Sequence, residues 1–262
     1  MNISRRVFGI VAAGACVGSQ FSLAANPTDA SKPEQAIRAA ARDGKLLYLV
    51  FYKEPDAAMK AMATTVSTAM NSQDGQSTFA YVRLTDPVER AVAEQFKVTR
   101  APMPMVIAVH PNGAVTGFYH TKTTEKDLAK CLVSPKQAEC LKALQTNQLV
   151  LVCLQTQAKQ SIPQGVRDLK ADPHFAARTQ VITLQVSDPA EASFLAGLEV
   201  DPKKTAPMTV FMAPPGAIVG KFTTTATKDQ LAAKLAEAGQ CCDDENCKHN
   251  HPQTTKPRKA TR

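Results

Sequence analysis

Ala101-Pro102-Met103, an apolar run and Gly113-Ala114-Val115-Thr116-Gly117 return later in the chain as Ala206-Pro207-Met208, an apolar run and Gly216-Ala217-Ile218-Val219-Gly220. Other pairs are related by about the same spacing: Asp86-Pro87 with Asp188-Pro189, residues 126–129 with 228–232, and residues 46–51 with 149–154. A repeat of roughly one hundred residues is too long for a solenoid unit and fits a small domain. The pattern therefore predicts one fold that is present twice.

Each copy carries the same order of secondary-structure signals. Runs that are apolar throughout predict buried strands, and apolar residues at helical spacing predict helices. In the first copy we expect helices over 33–42, 56–70, 87–96 and 123–132, and strands over 45–52, 79–84, 105–109 and 114–119. In the second copy we expect strands over 149–154, 179–184, 210–213 and 217–222, and helices around 166–169 and over 189–197 and 228–238.

The order β-α-β-α-β-β-α, with a proline just before the third strand, resembles the thioredoxin fold. The residues that carry the resemblance are Val98 to Pro102 in the first copy and Val200 to Pro207 in the second. The resemblance implies an α/β fold of two tandem thioredoxin-like domains, each a central mixed sheet flanked by helices. It places these domains at residues 33–135 and 138–239.

The resemblance also implies a cis-proline beside a groove for an extended peptide. In the second copy we expect Pro207 to be this residue. In the first copy Pro102 matches by what precedes it, and Pro104 matches by its distance to Gly113. We favour Pro102 and keep Pro104 as the alternative.

The cysteine pair of thioredoxin-like oxidoreductases is missing from both copies. Such enzymes carry Cys-x-x-Cys where the first strand turns into its helix, because the helix N-terminus stabilises the attacking thiolate. The corresponding segments are Asp56-Ala57-Ala58-Met59 and Lys159-Gln160-Ser161-Ile162. The oxidoreductase activity of the family is therefore not expected at either position, and no catalytic residue is predicted there. Asp56 is expected to be a first-turn acid that the helix dipole favours.

Three other cysteines lie in or between the two copies. Cys153 falls within an apolar strand and is expected to be a small buried side chain. Cys131 and Cys140 bracket the join between the copies, where a disulfide would fix the two domains relative to each other. Two free thiols on separate helices are the alternative, because connectivity cannot be deduced from sequence.

The first 24 residues have the features of an export signal. Arg5 and Arg6 precede a moderately apolar stretch, and Ser22-Leu23-Ala24 supplies the small residues of a cleavage site. The string Ser4-Arg5-Arg6-Val7-Phe8 resembles a bacterial twin-arginine signal, with an ordinary secretory signal and lipid modification at Cys16 as alternatives. We expect an exported protein of the periplasm or cell envelope, where disulfides are permitted, without a transmembrane segment in the mature chain.

The C-terminal residues 240–262 form a basic tail that is rich in cysteine and histidine and is expected to be flexible. Its candidate metal ligands lie within one short segment: Cys241, Cys242, Cys247, His249 and His251. Thiolates and imidazoles together suit Zn(II) or Cu(I), although the spacing matches no standard zinc finger. A local disulfide and an unstructured polar tail are the alternatives.

The net charge is +8, but the sequence does not indicate nucleic-acid binding. The basic residues are scattered, no aromatic residues are interleaved with them, and tryptophan is absent. The leading hypothesis is a non-enzymatic exported binding or scaffold protein with a metal-binding tail and an unknown protein or peptide partner. The first alternative is an enzyme, a thiol–disulfide exchange protein that uses the tail cysteines. The second alternative is a structural protein whose basic end adheres to an acidic envelope polymer.

Overall fold

The computed structural model describes residues 32–120, 123–203 and 206–240. The export signal, Cys16 and the candidate metal ligands of the tail lie outside these residues. The described residues form two four-stranded mixed sheets, each flanked by helices.

The first sheet has the strand order β2-β1-β3-β4. Strand β2 is parallel to β1, whereas β3 is antiparallel to β1, and β4 is antiparallel to β3. The elements of this part are α1 (Lys32–Arg42), β1 (Leu46–Tyr52), α2 (Ala57–Asn71), β2 (Ser77–Arg83), α3 (Arg90–Gln95), β3 (Met105–Val109), β4 (Val115–His120) and α4 (Glu125–Ala129).

The second sheet repeats this arrangement with the order β6-β5-β7-β8. A short 3-10 turn (Pro189–Glu191) leads directly into α8. The elements are α5 (Pro135–Gln145), β5 (Leu149–Gln155), α6 (Gln164–Ala171), α7 (Pro173–Ala176), β6 (Thr179–Gln185), α8 (Ala192–Gly197), β7 (Met208–Ala213), β8 (Ala217–Thr223) and α9 (Lys228–Gln240).

The central strand β1 is apolar along its whole length because both of its faces are covered. Leu47, Leu49 and Phe51 belong to the cluster on the face packed by α1 and α3. Leu46, Tyr48 and Val50 belong to the cluster on the face packed by α2 and α4. Strand β5 is buried in the same way within the two clusters of the second sheet. Burial of each large apolar side chain contributes about 1.5–3 kcal/mol, so these two strands hold much of the folding free energy.

The repeated Gly-Ala-x-x-Gly pattern has a physical cause in both sheets. Gly113 adopts φ +80° in the turn between β3 and β4, a conformation that other residues rarely adopt. At Gly117 a Cβ atom would lie 2.5 Å from Sγ of Cys131 and 2.8 Å from the Tyr119 ring. Gly216 and Gly220 occupy the same two positions in the second sheet, and a Cβ at Gly220 would lie 3.0 Å from the Phe222 ring.

A helix start and the state of two cysteines are among the features that the structure decides. The helix expected over 87–96 begins only at Arg90, because Asp86 caps a turn by accepting a hydrogen bond from the Val88 N–H at 2.9 Å. Of the two alternatives for Cys131 and Cys140, the structure has the two free thiols and not the disulfide. Both are free thiols that pack into the cores of different sheets, Cys131 beside Tyr119 and Cys140 beside Met212.

Helix α5 connects the two sheets. The Gln145 side chain accepts from the Val115 N–H at 2.9 Å and donates to the Val115 C=O at 2.6 Å, so its amide pairs with the edge strand β4 as another strand would. At the other end of α5, the buried carboxylate of Glu191 accepts from the Ser134 hydroxyl and from the Lys136 N–H. The outer edge of β4 is thereby paired by a residue of the second copy.

Replacing Gln145 by alanine should lower the free energy of unfolding by about 1 kcal/mol, because two hydrogen bonds to Val115 are lost at an exposed position. Urea unfolding followed by circular dichroism measures this change. Gln95→Ala is the matched control, since Gln95 is also an exposed glutamine at the last position of a helix. Equal effects of the two substitutions would contradict the role that we assign to Gln145.

Candidate functional site

The segment that replaces the cysteine pair in the first copy starts helix α2. Asp56 is the N-cap residue, and its carboxylate accepts a hydrogen bond from the Met59 N–H at 2.8 Å. Ala57 and Ala58 follow in the first turn and Met59 is buried. The carboxylate therefore satisfies the helix N-terminus from the N-cap position, one residue before the first turn in which Asp56 was expected.

A cleft of about 180 Å³ lies beside this helix start. Its lining comes from the end of β1, the loop that follows and the loop before β3. The lining residues are Tyr52, Lys53, Glu54, Asp56, Met103 and Pro104. The fold thus brings the loop that contains Met103 and Pro104 close to Asp56, where the cysteine motif of the family would begin, as the resemblance implies.

The loop between β1 and α2 is held by Arg83 at the end of β2. Its guanidinium donates to the Lys53 C=O at 3.3 Å and pairs with the Glu54 carboxylate at 3.1 Å. Both charged groups are largely exposed, so the ion pair contributes little to stability and acts mainly on the position of the loop.

The cis peptide bond of the first sheet precedes Pro104, the alternative that the spacing to Gly113 indicated. The preference for Pro102 is therefore wrong: Pro102 is exposed, whereas Pro104 is buried directly before β3. Among the residues that the structure describes, the other cis bond joins Pro214 and Pro215 in the turn between β7 and β8. The expectation of a cis bond before Pro207 is wrong as well.

Met103 lines this cleft beside Pro104. Within the described ranges, no residue forms a hydrogen bond with its N–H or C=O group. Main-chain groups at the mouth of a cleft are the donors and acceptors with which an extended peptide pairs.

At the same position in the second copy, glutamine residues form hydrogen bonds with one another. Gln155 donates to the Gln160 C=O at 2.5 Å, and Gln185 donates both to the Gln155 side chain at 2.8 Å and to the Gln157 C=O at 3.2 Å. Gln155 and Gln185 occupy the places that Tyr52 and Arg83 hold in the first copy. The two sites therefore differ, since paired glutamines in the second copy replace Tyr52 and Arg83 of the first.

The three cysteines of the described residues are poorly suited to thiolate chemistry. Cys131, Cys140 and Cys153 are all buried. Burial raises the pKa of each thiol, and for Cys140 the nearby Glu139 adds to this effect and brings the pKa to about 12. A raised pKa lowers the thiolate fraction at neutral pH, and the thiolate is the reactive form.

The described part of the chain contains no cluster of three or more histidine, cysteine, aspartate or glutamate residues that could hold a metal ion. It also contains no helix that is both long and apolar enough to cross a membrane. The candidate ligands Cys241, Cys242, Cys247, His249 and His251 lie outside this part.

The strand order and connectivity of the two sheets define two tandem thioredoxin-like domains. Structural comparison finds similar chains among thioredoxin-domain proteins. The first two thioredoxin domains of Saccharomyces cerevisiae Eps1p are 11% identical over 78% of this chain and 96% of that one, with a TM-score of 0.30. Human ERp44 in a zinc-bound form is 11% identical over 79% of this chain and 59% of that one, with a TM-score of 0.35.

The same comparison finds the germline-specific thioredoxin Deadhead from Drosophila melanogaster. It is 21% identical over 37% of this chain and 86% of that one, with a TM-score of 0.30. No protein-family model matches the chain, and no curated protein matches it.

Native protein should expose no reactive thiol within the two domains. In a variant whose four other cysteines are serine, we expect Cys131, Cys140 and Cys153 to react with Ellman's reagent at pH 8 at least about a hundredfold more slowly than free cysteine, because burial disfavours the thiolate. The same variant in guanidinium chloride is the control, and all three thiols should react there. Rapid labelling of folded protein would contradict the burial argument.

Proposed function

We propose that this chain is an exported binding protein in which two thioredoxin-like domains serve as a scaffold without thiol chemistry, and in which the C-terminal tail binds Zn(II) or Cu(I). The observation that carries the proposal is the replacement of the cysteine pair in both copies. Asp56 to Met59 begins a capped helix in the first copy, and glutamine residues form hydrogen bonds with one another at this position in the second.

The cleft of the first domain is the proposed binding site. It combines an aromatic wall at Tyr52 with the free main-chain groups of Met103 and with charged groups of both signs at Lys53, Glu54 and Asp56. An extended polypeptide segment fits this chemistry, since it supplies main-chain donors and acceptors together with side chains that pack on an aromatic ring.

Replacing Tyr52 by alanine should weaken the binding of an unfolded polypeptide by about tenfold, because an aromatic contact is lost from the cleft. The probe is fully reduced and alkylated lactalbumin, which cannot exchange disulfides, and fluorescence anisotropy measures its affinity for the full chain. Phe118→Ala is the control, since Phe118 is an exposed aromatic residue of the same domain that does not line the cleft. The proposal fails if the wild-type protein does not bind the probe or if both variants bind it equally well.

The tail supplies clustered soft donors, and no such cluster occurs in the described part of the two domains. Three cysteines and two histidines lie between Cys241 and His251, and thiolates with imidazoles prefer Zn(II) or Cu(I). Asp243, Asp244 and Glu245 lie beside these cysteines. Their negative charge disfavours a free thiolate and so argues against a redox arm, whereas a bound cation is attracted by the same charge.

Metal content separates the proposed tail function from thiol–disulfide exchange. Protein purified anaerobically should contain stoichiometric Zn or Cu, and the Cys241→Ser/Cys242→Ser/Cys247→Ser variant should contain none. Cys131→Ala is the control, since this buried thiol belongs to the first core and should leave the metal content unchanged.

The insulin-reduction assay completes this test. The proposal predicts no turnover by the full chain or by the triple serine variant. A metal-free protein whose turnover disappears with the triple substitution would contradict the proposal and support the redox arm. Turnover that survives the substitution would contradict both readings.

A further inference from the structure

Strand β2 is the outermost strand of the first sheet, and its outer edge carries free hydrogen-bonding groups. Leu46 donates to the Gln76 C=O and Leu84 donates to the Tyr52 C=O, each at 2.9 Å, so the even-numbered residues of this segment face β1. Because successive residues of a strand point their main-chain groups to opposite sides, Ser77, Phe79 and Tyr81 face away from the sheet. Within the described ranges, no residue forms a hydrogen bond with these outward groups.

An aromatic strip accompanies this open edge. Phe79 and Tyr81 are 38% and 39% exposed, which is high for aromatic side chains in a sheet. The two rings meet edge to face at 5.2 Å between centroids, and Tyr81 meets Tyr52 in the same way at 6.2 Å. Strand and strip together present an apolar surface with unpaired main-chain groups beside it.

The edge lacks most of the devices that keep sheet edges from pairing. Natural edge strands carry lysine, proline, bulges or inward charges. Strand β2 has seven residues, no proline and no lysine, and it pairs with β1 in an unbroken register. Its two ends are less accessible, since Ser77 is buried and the Glu89 carboxylate accepts the hydrogen bond of the Arg83 N–H.

The second copy shows that the fold does not require this edge. Strand β6 occupies the same position, with Val181 and Thr183 in the places of Phe79 and Tyr81. Lys170 donates to the outward C=O of Thr179 at 2.6 Å, so a lysine occupies this edge. The aromatic strip and the open edge are therefore properties of the first copy alone.

We propose that β2 is a dimerisation edge that pairs antiparallel with β2 of a second copy of this chain. A two-fold axis at Ala80 places Phe79 opposite Tyr81 of the second copy, and both residues direct their main-chain groups outward. Each such pair exchanges both of its main-chain hydrogen bonds, and an aromatic side chain faces an aromatic side chain across the axis.

The edge is complementary to itself, which favours a second copy as its occupant. With the axis at Ala80, Arg83 lies opposite Ser77 of the second copy, so no like charges face each other. The dimer would join the two first sheets into one continuous sheet. A seven-residue strand with a few rings forms a small interface, so we expect dissociation in the micromolar range.

Sedimentation equilibrium of the full chain under reducing conditions tests the dimer, and reduction excludes dimers linked by tail cysteines. The wild-type protein should be in reversible monomer–dimer exchange. Phe79→Lys/Tyr81→Lys should weaken association by at least about a hundredfold, because lysines then face each other across the axis. Thr183→Lys, the equivalent position of β6, is the control and should leave association unchanged.

A second double variant tests the proposed register of the two β2 strands, and its expected result is that the dimer is retained. Phe79→Glu/Tyr81→Lys should still dimerise, because glutamate then faces lysine of the second copy when the axis lies at Ala80. Circular dichroism verifies that both double variants are folded. A monomeric wild-type protein, a dimer that survives the double lysine substitution, or loss of association in both double variants would each overturn the proposal.

Discussion

The rest of the structure depends on one constraint, the double burial of the central strands β1 and β5. Each is paired on both edges and covered on both faces, so nearly every position must be apolar and the register with both neighbours is fixed. The loop that leaves β1 must then emerge beside the start of α2 and the proline loop before β3. The location of the cleft at Tyr52 and Pro104 is a consequence of how this strand is packed.

Because the core is specified by these strands, the two copies were free to diverge around them. Tyr52 and Arg83 shape the cleft in the first copy, whereas Gln155 and Gln185 pair their amides with each other at the equivalent site. The outer strands of the two sheets also differ: β2 carries exposed aromatic side chains, and β6 carries smaller side chains at the same positions. The two copies therefore share the packing of each sheet, whereas the outer strand of the first copy has the more exposed aromatic surface.

Features that local sequence determines could be predicted, and features that depend on tertiary contacts could not. Strand β3 has the predicted bounds, because a short apolar run between turn residues leaves little choice. The cleft was implied by the resemblance, but its difference from the second site depends on glutamine contacts that spacing does not encode. Phe79 and Tyr81 alternate with buried residues as in any half-buried strand, so their exposure became visible only once the neighbours of β2 were known.

The distribution of cysteines follows from the same packing. Cys131 and Cys140 bracket the join between the copies, where the sequence allows either a disulfide or two free thiols. In the structure each belongs to a different core, where a thiol behaves as a hydrophobic side chain. A reactive thiolate needs solvent or positive charge nearby, and the cores provide neither. A sheet buried on both faces can therefore accommodate cysteine only in an inert form. On our proposal, this is why the metal-binding chemistry is carried by a segment that follows the last helix.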